Sequence, residues 1–369
     1  MHILFAGGGT AGHINPALAI AGYIKEKHPN AKISYIGTAK KLEATLVPQS
    51  GYDFYTIDVA GFQRSLRVKN IGRNVSAAYK AVAASVRAKK LLKQLKPDLV
   101  IGTGGYVSGP VVRAAQKLGI KTAIHEQNAY PGVTTKMLAK NATVVMLAYP
   151  EAKKYLPQNI NCVTTGNPVR SELLKINKAE AREKLGLDSR PLILSFGGSL
   201  GARKINESVA ELIKHHNSSG QYYHIHGTGK VGYSAFMERL SGVKLNKDIT
   251  VKEYIYDMDI YMAAADIVIS RAGAITLSEI AACGKAAVLI PSPYVAENHQ
   301  FHNALALKNA GAANIIEEKD LTGELLIKTV EQIANNKTLL KAMGENALKS
   351  AIINANERIY DQINRLLAN

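Results

Sequence analysis

The chain has 369 residues, 47% of them hydrophobic, and a formal charge of +17 from 46 basic and 29 acidic residues. This apolar content excludes a disordered chain, and the length predicts two domains. No apolar run reaches the roughly 18–20 residues of a membrane-spanning helix, and two cysteines, Cys162 and Cys283, are too few for a disulfide framework. The first residues lack a basic segment and lead straight into glycines, so we expect no secretory signal and an intracellular protein.

Short β-branched segments alternate with helical ones along the whole chain. In the first half we predict strands at residues 3–6, 33–36, 98–102, 121–125 and 143–147, with a helix from Asn15-Pro16 to about His28. In the second half we predict strands at residues 192–196, 222–226, 250–254, 267–270 and 286–290. This alternation indicates an α/β protein with two Rossmann-like doubly wound domains, residues 1–167 and 168–351. A last helix, residues 352–369, is expected to pack back on the first domain.

Three glycine-rich turns follow predicted strands. In the first turn, Gly7, Gly9 and Gly12 fit the dinucleotide pattern GxGxxG. The second predicted strand ends without the acidic residue that binds an NAD ribose, and Lys40 and Lys41 follow it. NAD is therefore disfavoured, whereas NADP remains possible because lysines could bind a 2′-phosphate.

The second and third turns span residues 102–110 and 195–202. Glycines in such turns let backbone N–H groups point at an anion, and the helix that follows adds its dipole. One such turn is weak evidence, because a tight strand–helix turn needs glycine for steric reasons alone. Three turns in two domains predict either two phosphate-bearing ligands or one bridging ligand, which favours a transferase over an oxidoreductase.

Polar residues in the second half are candidates for nucleotide binding. Arg170, in the segment Gly-Asn-Pro-Val-Arg, could bind a diphosphate or simply pair with a local carboxylate. Glu279 could accept both ribose hydroxyls, but Thr276-x-x-Glu279 also matches a structural capping box. The polar loop at residues 297–300 would suit the hydroxyls of a sugar.

Together these segments carry a family resemblance. Six motifs occur in the order and approximate spacing of one known family: Gly-Gly-Thr-Ala-Gly-His, Gly-Thr-Gly-Gly-Tyr-Val-Ser-Gly-Pro, His-Glu-Gln-Asn at 125–128, Gly-Asn-Pro-Val-Arg, Gly-Gly-Ser-Leu-Gly-Ala and Arg-Ala-Gly-Ala-Ile-Thr-Leu-Ser-Glu. The chain resembles, over essentially its full length, the MurG family of N-acetylglucosaminyltransferases of bacterial peptidoglycan synthesis. The resemblance implies the GT-B fold, two Rossmann-like domains facing a cleft. It also implies UDP-N-acetylglucosamine (UDP-GlcNAc) as donor, lipid I (undecaprenyl-diphospho-muramoylpentapeptide) as acceptor, and β-1,4-linked lipid II as product.

The resemblance also implies site residues. Thr10, Ala11 and Gly12 would approach the sugar and phosphates, and Gly104, Gly105 and Tyr106 would form an acceptor-side phosphate loop. Asn128 would contact the N-acetylglucosamine, Arg170 and Ser199 the diphosphate, and the backbone of Ile255 the uracil. The nucleotide would be surrounded by Ala274, Ile275, Thr276, Leu277, Ser278 and Glu279, with Glu279 on the ribose. Gln300 would reach the sugar, although His299 stands where some members carry a second glutamine.

The inverting reaction of the family needs a base for the acceptor hydroxyl. His13 is the best candidate, since it lies between a glycine turn and a helix N-terminus whose dipole favours neutral imidazole. Alternatively, His13 only shapes the loop or positions acceptor phosphate, and Glu126 is a weaker rival. We expect no metal or other cofactor: Asp257-Met258-Asp259 suits a helix N-terminus, and the pairs His215-His216 and His224-x-His226 lack partners at ligand spacing.

The charge of the first half fits an enzyme whose acceptor lies in a membrane. Residues 1–169 contain 22 basic and 7 acidic residues, and none of the residues between Asp58 and Asp98 is acidic. Ten basic residues occur in that interval: Arg64, Arg67, Lys69, Arg73, Lys80, Arg87, Lys89, Lys90, Lys93 and Lys96. An apolar helical face accompanies them, made of Ile71, Val75, Tyr79, Val82 and Val86. The pattern predicts a peripheral protein on the anionic cytoplasmic leaflet of the cell inner membrane, although a core-facing helix has the same pattern.

Three alternatives remain open at this point. Another GT-B transferase with a glycolipid acceptor would share the donor-side turns. A UDP-GlcNAc 2-epimerase would share the fold but would not need the uneven charge. A nucleic-acid-binding module would explain the basic stretch, but it would leave the glycine turns without a role, and six phenylalanines are few for base stacking. We therefore expect no nucleic-acid partner.

Overall fold

A computed structural model describes residues 1–59 and 83–368. The chain divides into two compact units. The first unit comprises Met1–Pro168 and the C-terminal stretch from Asn354 onward, and the second comprises Val169–Ile353. Within the described residues, no helix is long and apolar enough to cross a membrane.

The first unit is built on a seven-stranded parallel sheet. Its strands are β1 (His2–Gly7), β2 (Lys32–Gly37), β3 (Asp53–Thr56), β4 (Leu99–Gly104), β5 (Lys121–Glu126), β6 (Val144–Leu147) and β7 (Cys162–Thr164). Its helices are α1 (Ala11–Lys27), α2 (Glu43–Gln49), α3 (described over residues 83–95), α4 (Gly105–Lys117), α5 (Val133–Leu138) and, at the C-terminus, α15 (Ala355–Ala368), with 3-10 turns at Ala139–Asn141 and Pro150–Tyr155. The strand order is β3-β2-β1-β4-β5-β6-β7.

The second unit repeats this plan with six parallel strands. They are β8 (Leu192–Phe196), β9 (Tyr223–Gly227), β10 (Ile249–Lys252), β11 (Ile267–Ser270), β12 (Ala286–Leu289) and β13 (Ala313–Ile315), in the order β10-β9-β8-β11-β12-β13. The helices are α6 (Glu172–Lys175), α7 (Lys178–Lys184), α8 (Arg203–Ser219), α9 (Tyr233–Arg239), α10 (Met258–Ala264), α11 (Ala274–Ala282), α12 (His299–Asn309), α13 (Gly323–Ala334) and α14 (Lys337–Ser350), with a 3-10 turn at Ala296–Asn298.

The strand orders determine where ligands can bind. In each sheet the chain reverses its direction of travel across the sheet once, between β1 and β4 and between β8 and β11. Loops diverge at such a switch point and leave a crevice at the carboxyl ends of the strands. The first and second glycine turns flank the first switch point, and the third glycine turn and the segment before α11 flank the second.

The first helix differs from its prediction. α1 begins at Ala11, directly after the glycine turn, and Pro16 lies inside it. The prediction placed the start at Asn15 because proline is common in a first helical turn. Residue 16 is the sixth of the helix, so its ring removes one interior backbone donor. The three edge or near-edge strands β3, β7 and β13 were also missed, since they have only three or four residues and little periodicity.

Helix α15 contributes to the core of the first unit. Ile359 and Ile363 are fully buried in the same cluster as Ile14, Ile20 and Ile24 of α1. The Tyr360 hydroxyl also hydrogen-bonds His28 Nε2 at 2.6 Å. The C-terminal helix thus covers the α1 side of the first sheet. Of the basic and apolar stretch singled out from the sequence, residues 60–82 lie outside the described residues.

Three histidines that looked incidental in the sequence form one buried group. His216 of α8 and His224 and His226 of β9 are fully buried, with ring centroids 5.8 Å apart for the first pair and 6.5 Å for the second. Ser195 Oγ lies 2.8 Å from both His224 Nε2 and His226 Nδ1, whereas neither ring nitrogen of His216 has a partner among the described residues. Burial lowers the pKa of His216 to about 4 and that of His226 to about 3, and it holds the pKa of His224 well below its usual range. All three are therefore neutral in the folded protein at pH 7.

These histidines predict acid sensitivity of the second unit. Because their folded pKa values lie below the unfolded value of about 6.5, the unfolded chain binds more protons at pH below 6.5. The contribution of these histidines to the free energy of unfolding is thus fully present above pH 6.5. It falls as the pH drops, by roughly 1.4 kcal/mol per histidine at pH 5.5. Urea unfolding at pH 7.5 and 5.5 measures the loss. His216→Phe, which keeps an aromatic ring in contact with Tyr222, should remove about a third of this loss of stability, and an unchanged loss would contradict the assignment.

Candidate active site

At the first switch point, the two glycine turns of the first unit press against each other. Gly105 has a φ of +77°, and a Cβ added to it would lie 2.2 Å from the carbonyl oxygen of Gly8. At the neighbouring Gly104, an added Cβ would lie 2.7 Å from Cδ2 of the His13 ring. Only glycine permits this approach, so Gly104 and Gly105 of the second turn make room for the first turn and for the imidazole.

His13 is held through one ring nitrogen. Its Nδ1 lies 3.2 Å from the carbonyl oxygen of Gly8 and 3.2 Å from Thr10 Oγ1. A carbonyl only accepts, so neutral His13 carries its proton on Nδ1 and has its lone pair on Nε2. Burial lowers the pKa of His13, while Glu126, the Gly8 hydrogen bond and Glu43 oppose that shift. Desolvation is the main cause of this lowered pKa, whereas the sequence analysis had suggested the helix dipole. The imidazole is therefore neutral at neutral pH and can accept a proton.

Thr10, Ala11 and Gly12 form the exposed start of α1. Thr10 is the residue before the helix, and its side chain makes no capping hydrogen bond. Its carbonyl accepts from the backbone N–H groups of His13 and Ile14. Ala11 and Gly12, the first two residues of the helix, are exposed, and backbone N–H groups at such a helix start can bind anions.

Glu126 is a buried carboxylate surrounded by donors. One oxygen accepts from the backbone N–H and from Nδ2 of Asn128, both at 3.0 Å. The other accepts from Gly132 N at 3.0 Å and from Thr135 Oγ1 at 2.5 Å. Four donors occupy both oxygens, so the geometry orients Asn128 and the loop at 127–135. It leaves Glu126 poorly placed to take a proton from a substrate.

In the second unit, Ser199 lies exposed on the third glycine turn, before α8. The turn rests on the loop after β9: a Cβ on Gly201, whose φ is +81°, would lie 2.1 Å from the carbonyl oxygen of Thr228. Asn206 of α8 fastens the same loop by donating from Nδ2 to that oxygen at 2.9 Å. The Ser199 turn and α8 are therefore both in contact with the loop after β9, and the N-terminus of a helix such as α8 suits a phosphate.

Arg170 and Glu279 form an ion pair. Arg170 Nε donates to Glu279 Oε1 at 2.7 Å, with the arginine side chain half exposed and the glutamate buried. Burial raises the pKa of Glu279, and Arg170 opposes that shift. The capping-box alternative for Glu279 is wrong, because α11 begins at Ala274 after Gly273 and Glu279 is its sixth residue. The alternative that Arg170 pairs with a carboxylate of the protein agrees with this ion pair to Glu279.

The other residues implied as nucleotide contacts differ in how exposed they are. Leu277 and Ile255 are buried in the core of the second unit, so only their backbones could meet a ligand. Ala274, Ile275, Thr276 and Ser278 are half-buried in the first turns of α11. Gln300 Oε1 accepts from Ser292 N at 2.8 Å, which fixes its side chain across the loop.

The sequence analysis missed the structural roles of an ion pair in the second unit, Arg271–Glu318, and of a carboxylate in the first unit, Glu43. Arg271 donates from Nη1 to the carbonyl oxygens of Ile290 and Pro291 at 3.1 and 3.3 Å, and it pairs with Glu318. It thereby clamps the carboxyl ends of three neighbouring strands. In the first unit, Glu43 binds the first glycine turn. Arg271 stands inside a recognised motif and could have been suspected, but nothing local marks Glu318 or Glu43.

The Asp257–Asp259 segment lies at a helix start. Asp257 is the residue before α10, without a capping hydrogen bond from its side chain, and Asp259 is in the first turn. Among residues 1–59 and 83–368, no group of three or more His, Cys, Asp or Glu side chains is placed to hold a metal ion. The two carboxylates can complement the dipole of α10.

Known proteins match the chain over its full length. The glycosyltransferase family 28 N-terminal domain matches residues 3–147, and the family 28 C-terminal domain matches residues 192–363. The "UDP-N-acetylglucosamine--N-acetylmuramyl-(pentapeptide) pyrophosphoryl-undecaprenol N-acetylglucosamine transferase" of Acetivibrio thermocellus is 46% identical, covering 100% of this chain and 99% of that protein. The protein of the same name from a Thermoanaerobacter species is 47% identical and covers 98% of this chain and 99% of its own. The crystal structure of Acinetobacter baumannii MurG has a TM-score of 0.79 and 32% identity, covering 99% of both chains.

Two parallel sheets with glycine turns at their switch points are the architecture of the GT-B glycosyltransferases, and this chain has that fold. The chain belongs to glycosyltransferase family 28 and, within it, to the MurG family. It is therefore an enzyme that transfers a glycosyl group, and the fold class and family predicted from the sequence are confirmed.

Proposed function

We propose that this enzyme transfers N-acetylglucosamine from UDP-GlcNAc to the C4 hydroxyl of the muramoyl sugar of lipid I and forms lipid II for peptidoglycan synthesis. The observation that supports this most strongly is the full-length similarity to transferases of that name. The name of those relatives contains both the donor sugar and the pyrophosphoryl-undecaprenol acceptor. Relatives with more than 40% identity over the whole chain share both the donor and the acceptor side of the fold.

We assign the donor to the second unit. Ser199 and the N-terminus of α8 would bind the diphosphate, with Arg170 forming a charge-assisted contact through the nitrogens that Glu279 leaves free. Glu279 would accept from the ribose hydroxyls through Oε2. Gln300 would bind the sugar with a side chain already oriented by its hydrogen bond to Ser292 N.

We assign the acceptor side to the first unit, with His13 as the base. The lone pair on Nε2 would take the proton of the acceptor hydroxyl as that oxygen attacks the anomeric carbon. The C–O bond to UDP breaks in the same displacement, so an α-linked donor gives a β-linked product. Gly104, Gly105, Tyr106 and the exposed amides of Thr10, Ala11 and Gly12 would hold acceptor phosphate near that base.

We propose that the departing UDP is stabilised by Arg170 and the α8 N-terminus without a metal ion or other cofactor. Transfer of labelled N-acetylglucosamine from UDP-GlcNAc to a lipid I analogue in EDTA tests donor, acceptor and metal independence together. Product formation in EDTA is expected. Product only after magnesium is added would refute the metal-free mechanism. No product in either condition, with UDP-GlcNAc still bound, would mean a different glycolipid acceptor.

We further propose that the enzyme is peripheral on the anionic cytoplasmic leaflet of the inner membrane, where an undecaprenyl-linked acceptor would lie. The excess of basic over acidic residues in positions 1–169 supports this location. Because screening weakens such attraction, about 1 M salt should release the protein from anionic vesicles. Retention after that wash would indicate hydrophobic insertion instead.

A further inference from the structure

We propose that Glu43 is a positioning residue, which holds the Gly8–Gly9 turn so that the Gly8 carbonyl keeps the neutral His13 ring protonated on Nδ1. The inference concerns the state of His13, and its catalytic consequence rests on the proposed role of His13 as the base. Glu43 lies in the first turn of α2 and belongs to none of the recognised sequence motifs.

The carboxylate of Glu43 is fully buried and receives only donors. Oε2 accepts from the backbone N–H of Gly9 at 3.2 Å. Oε1 accepts from the backbone N–H of Thr38 at 3.2 Å and from Thr38 Oγ1 at 2.7 Å. A buried carboxylate with three donors is well satisfied, and one of those donors is the backbone of the glycine turn itself.

Glu43 also limits the space around the turn. A Cβ on Gly8 would lie 2.6 Å from Glu43 Oε1, and a Cβ on Gly37 would lie 2.6 Å from Glu43 Cγ. The carboxylate therefore packs against the glycine backbone directly. The Tyr106 ring also meets the turn, since a Cβ on Gly9 would lie 2.9 Å from that ring. The Glu43 carboxylate and the Tyr106 ring therefore both pack against the turn.

One peptide unit of the turn connects Glu43 to His13. The peptide unit that Glu43 binds through Gly9 N contains the Gly8 carbonyl, and that carbonyl oxygen is 3.2 Å from His13 Nδ1. A rotation of this one peptide unit would break both hydrogen bonds together. Glu43 thus controls which ring nitrogen carries the proton without touching the ring.

The surroundings of His13 also give Glu43 an electrostatic effect. Within residues 1–59 and 83–368, the charged groups that act on the imidazole are Glu126 and Glu43, both of which raise its pKa against the lowering by burial. Thr10 Oγ1 and the glycines of the second turn are the other neighbours, and they carry no charge. Removing the charge of Glu43 should therefore lower the pKa of His13 further.

Glu43→Gln tests the proposal with the full chain. If the new amide oxygen keeps the Thr38 donors, its NH₂ group faces the Gly9 N–H, and two donors oppose each other. Nitrogen NMR of the imidazoles, with the His13 signal assigned from a His13→Asn sample, should show loss of the pure Nδ1–H form. We expect kcat to fall roughly 10- to 100-fold, as for other residues that orient a functional side chain, with the affinity for UDP-GlcNAc unchanged.

The pH profile separates positioning from a general folding defect. Because protonation inactivates a base, the acid limb of kcat/KM should move to lower pH in Glu43→Gln, and Glu43→Asp, which preserves the charge, should restore it. An unchanged His13 tautomer, or equal losses of kcat and UDP-GlcNAc affinity, would refute the proposal. A changed tautomer with an unmoved acid limb would support the positioning role and refute His13 as the base. Should Glu43→Gln fail to fold, Thr38→Val removes one donor to Glu43 and keeps the charge. It should weaken the Nδ1–H preference and lower kcat by a smaller factor with the acid limb unmoved, and an unchanged tautomer and kcat would refute the proposal.

Discussion

His13→Ala is expected to lower kcat by roughly 10²- to 10⁴-fold, the usual contribution of a general base, and to leave the affinity for UDP-GlcNAc nearly unchanged. The donor contacts that we assign to Arg170, Ser199 and Glu279 lie in the second unit, whereas His13 lies in the first. Steady-state transfer kinetics, together with calorimetric titration of UDP-GlcNAc in the absence of acceptor, measure the two quantities separately.

His13→Asn is the informative partner of that variant. The asparagine amide can donate to the Gly8 carbonyl as Nδ1 does, but it has no group at the position of Nε2. If His13 is the base, His13→Asn should be as inactive as His13→Ala. Substantial activity in His13→Asn alone would show that the histidine only shapes the loop, which is the alternative that the sequence left open.

Glu279→Gln is expected to weaken UDP-GlcNAc binding by roughly 10- to 150-fold, which corresponds to the approximately 1.5–3 kcal/mol of a hydrogen bond to a charged group. The substitution preserves the size of the side chain but removes the charge that pairs with Arg170 and would accept from the ribose. Titration calorimetry with UDP measures the change in Kd without the acceptor.

A ligand without ribose hydroxyls distinguishes the two roles of Glu279. With 2′,3′-dideoxy-UDP, wild-type enzyme and Glu279→Gln should bind almost equally if the carboxylate acts on the ribose. A full loss with that ligand as well would mean that Glu279 acts through Arg170 alone. Glu331→Gln is a suitable control. Glu331 lies on α13 of the second unit and pairs with His215 on α8, so neither residue shares helix α11 with Glu279.

The local sequence was sufficient for the architecture of both units. The ten strands that periodicity predicted all occur, within one or two residues at most ends, because β-branched runs between glycine turns have few other packed solutions. The glycine turns were equally visible. Gly104 and Gly105 must be glycine because the first turn and His13 pack against them, which only the structure shows. Their position directly after a strand nevertheless identified them as turn residues from the sequence.

Partners distant along the chain could not be read in this way. Glu279 looked like a capping residue until the helix start at Ala274 and the ion pair with Arg170, 109 residues away, excluded that role. Glu126 looked like a possible base until four donors were found on its oxygens. Hydrogen-bond saturation depends on the whole neighbourhood of a group, whereas a motif contains only the neighbours along the chain.

The same distinction applies to the groups that no motif contained. Glycine spacing, strand periodicity and the uneven charge are properties of the chain, and they were enough to predict the fold and the family. The position of Glu43 behind the first glycine turn and the gathering of His216, His224 and His226 in one core depend on which strands pair and which helices cover them. Burial and pairing across tens of residues set the protonation of His13 and of the buried histidines, so their chemistry was decided by the packed fold.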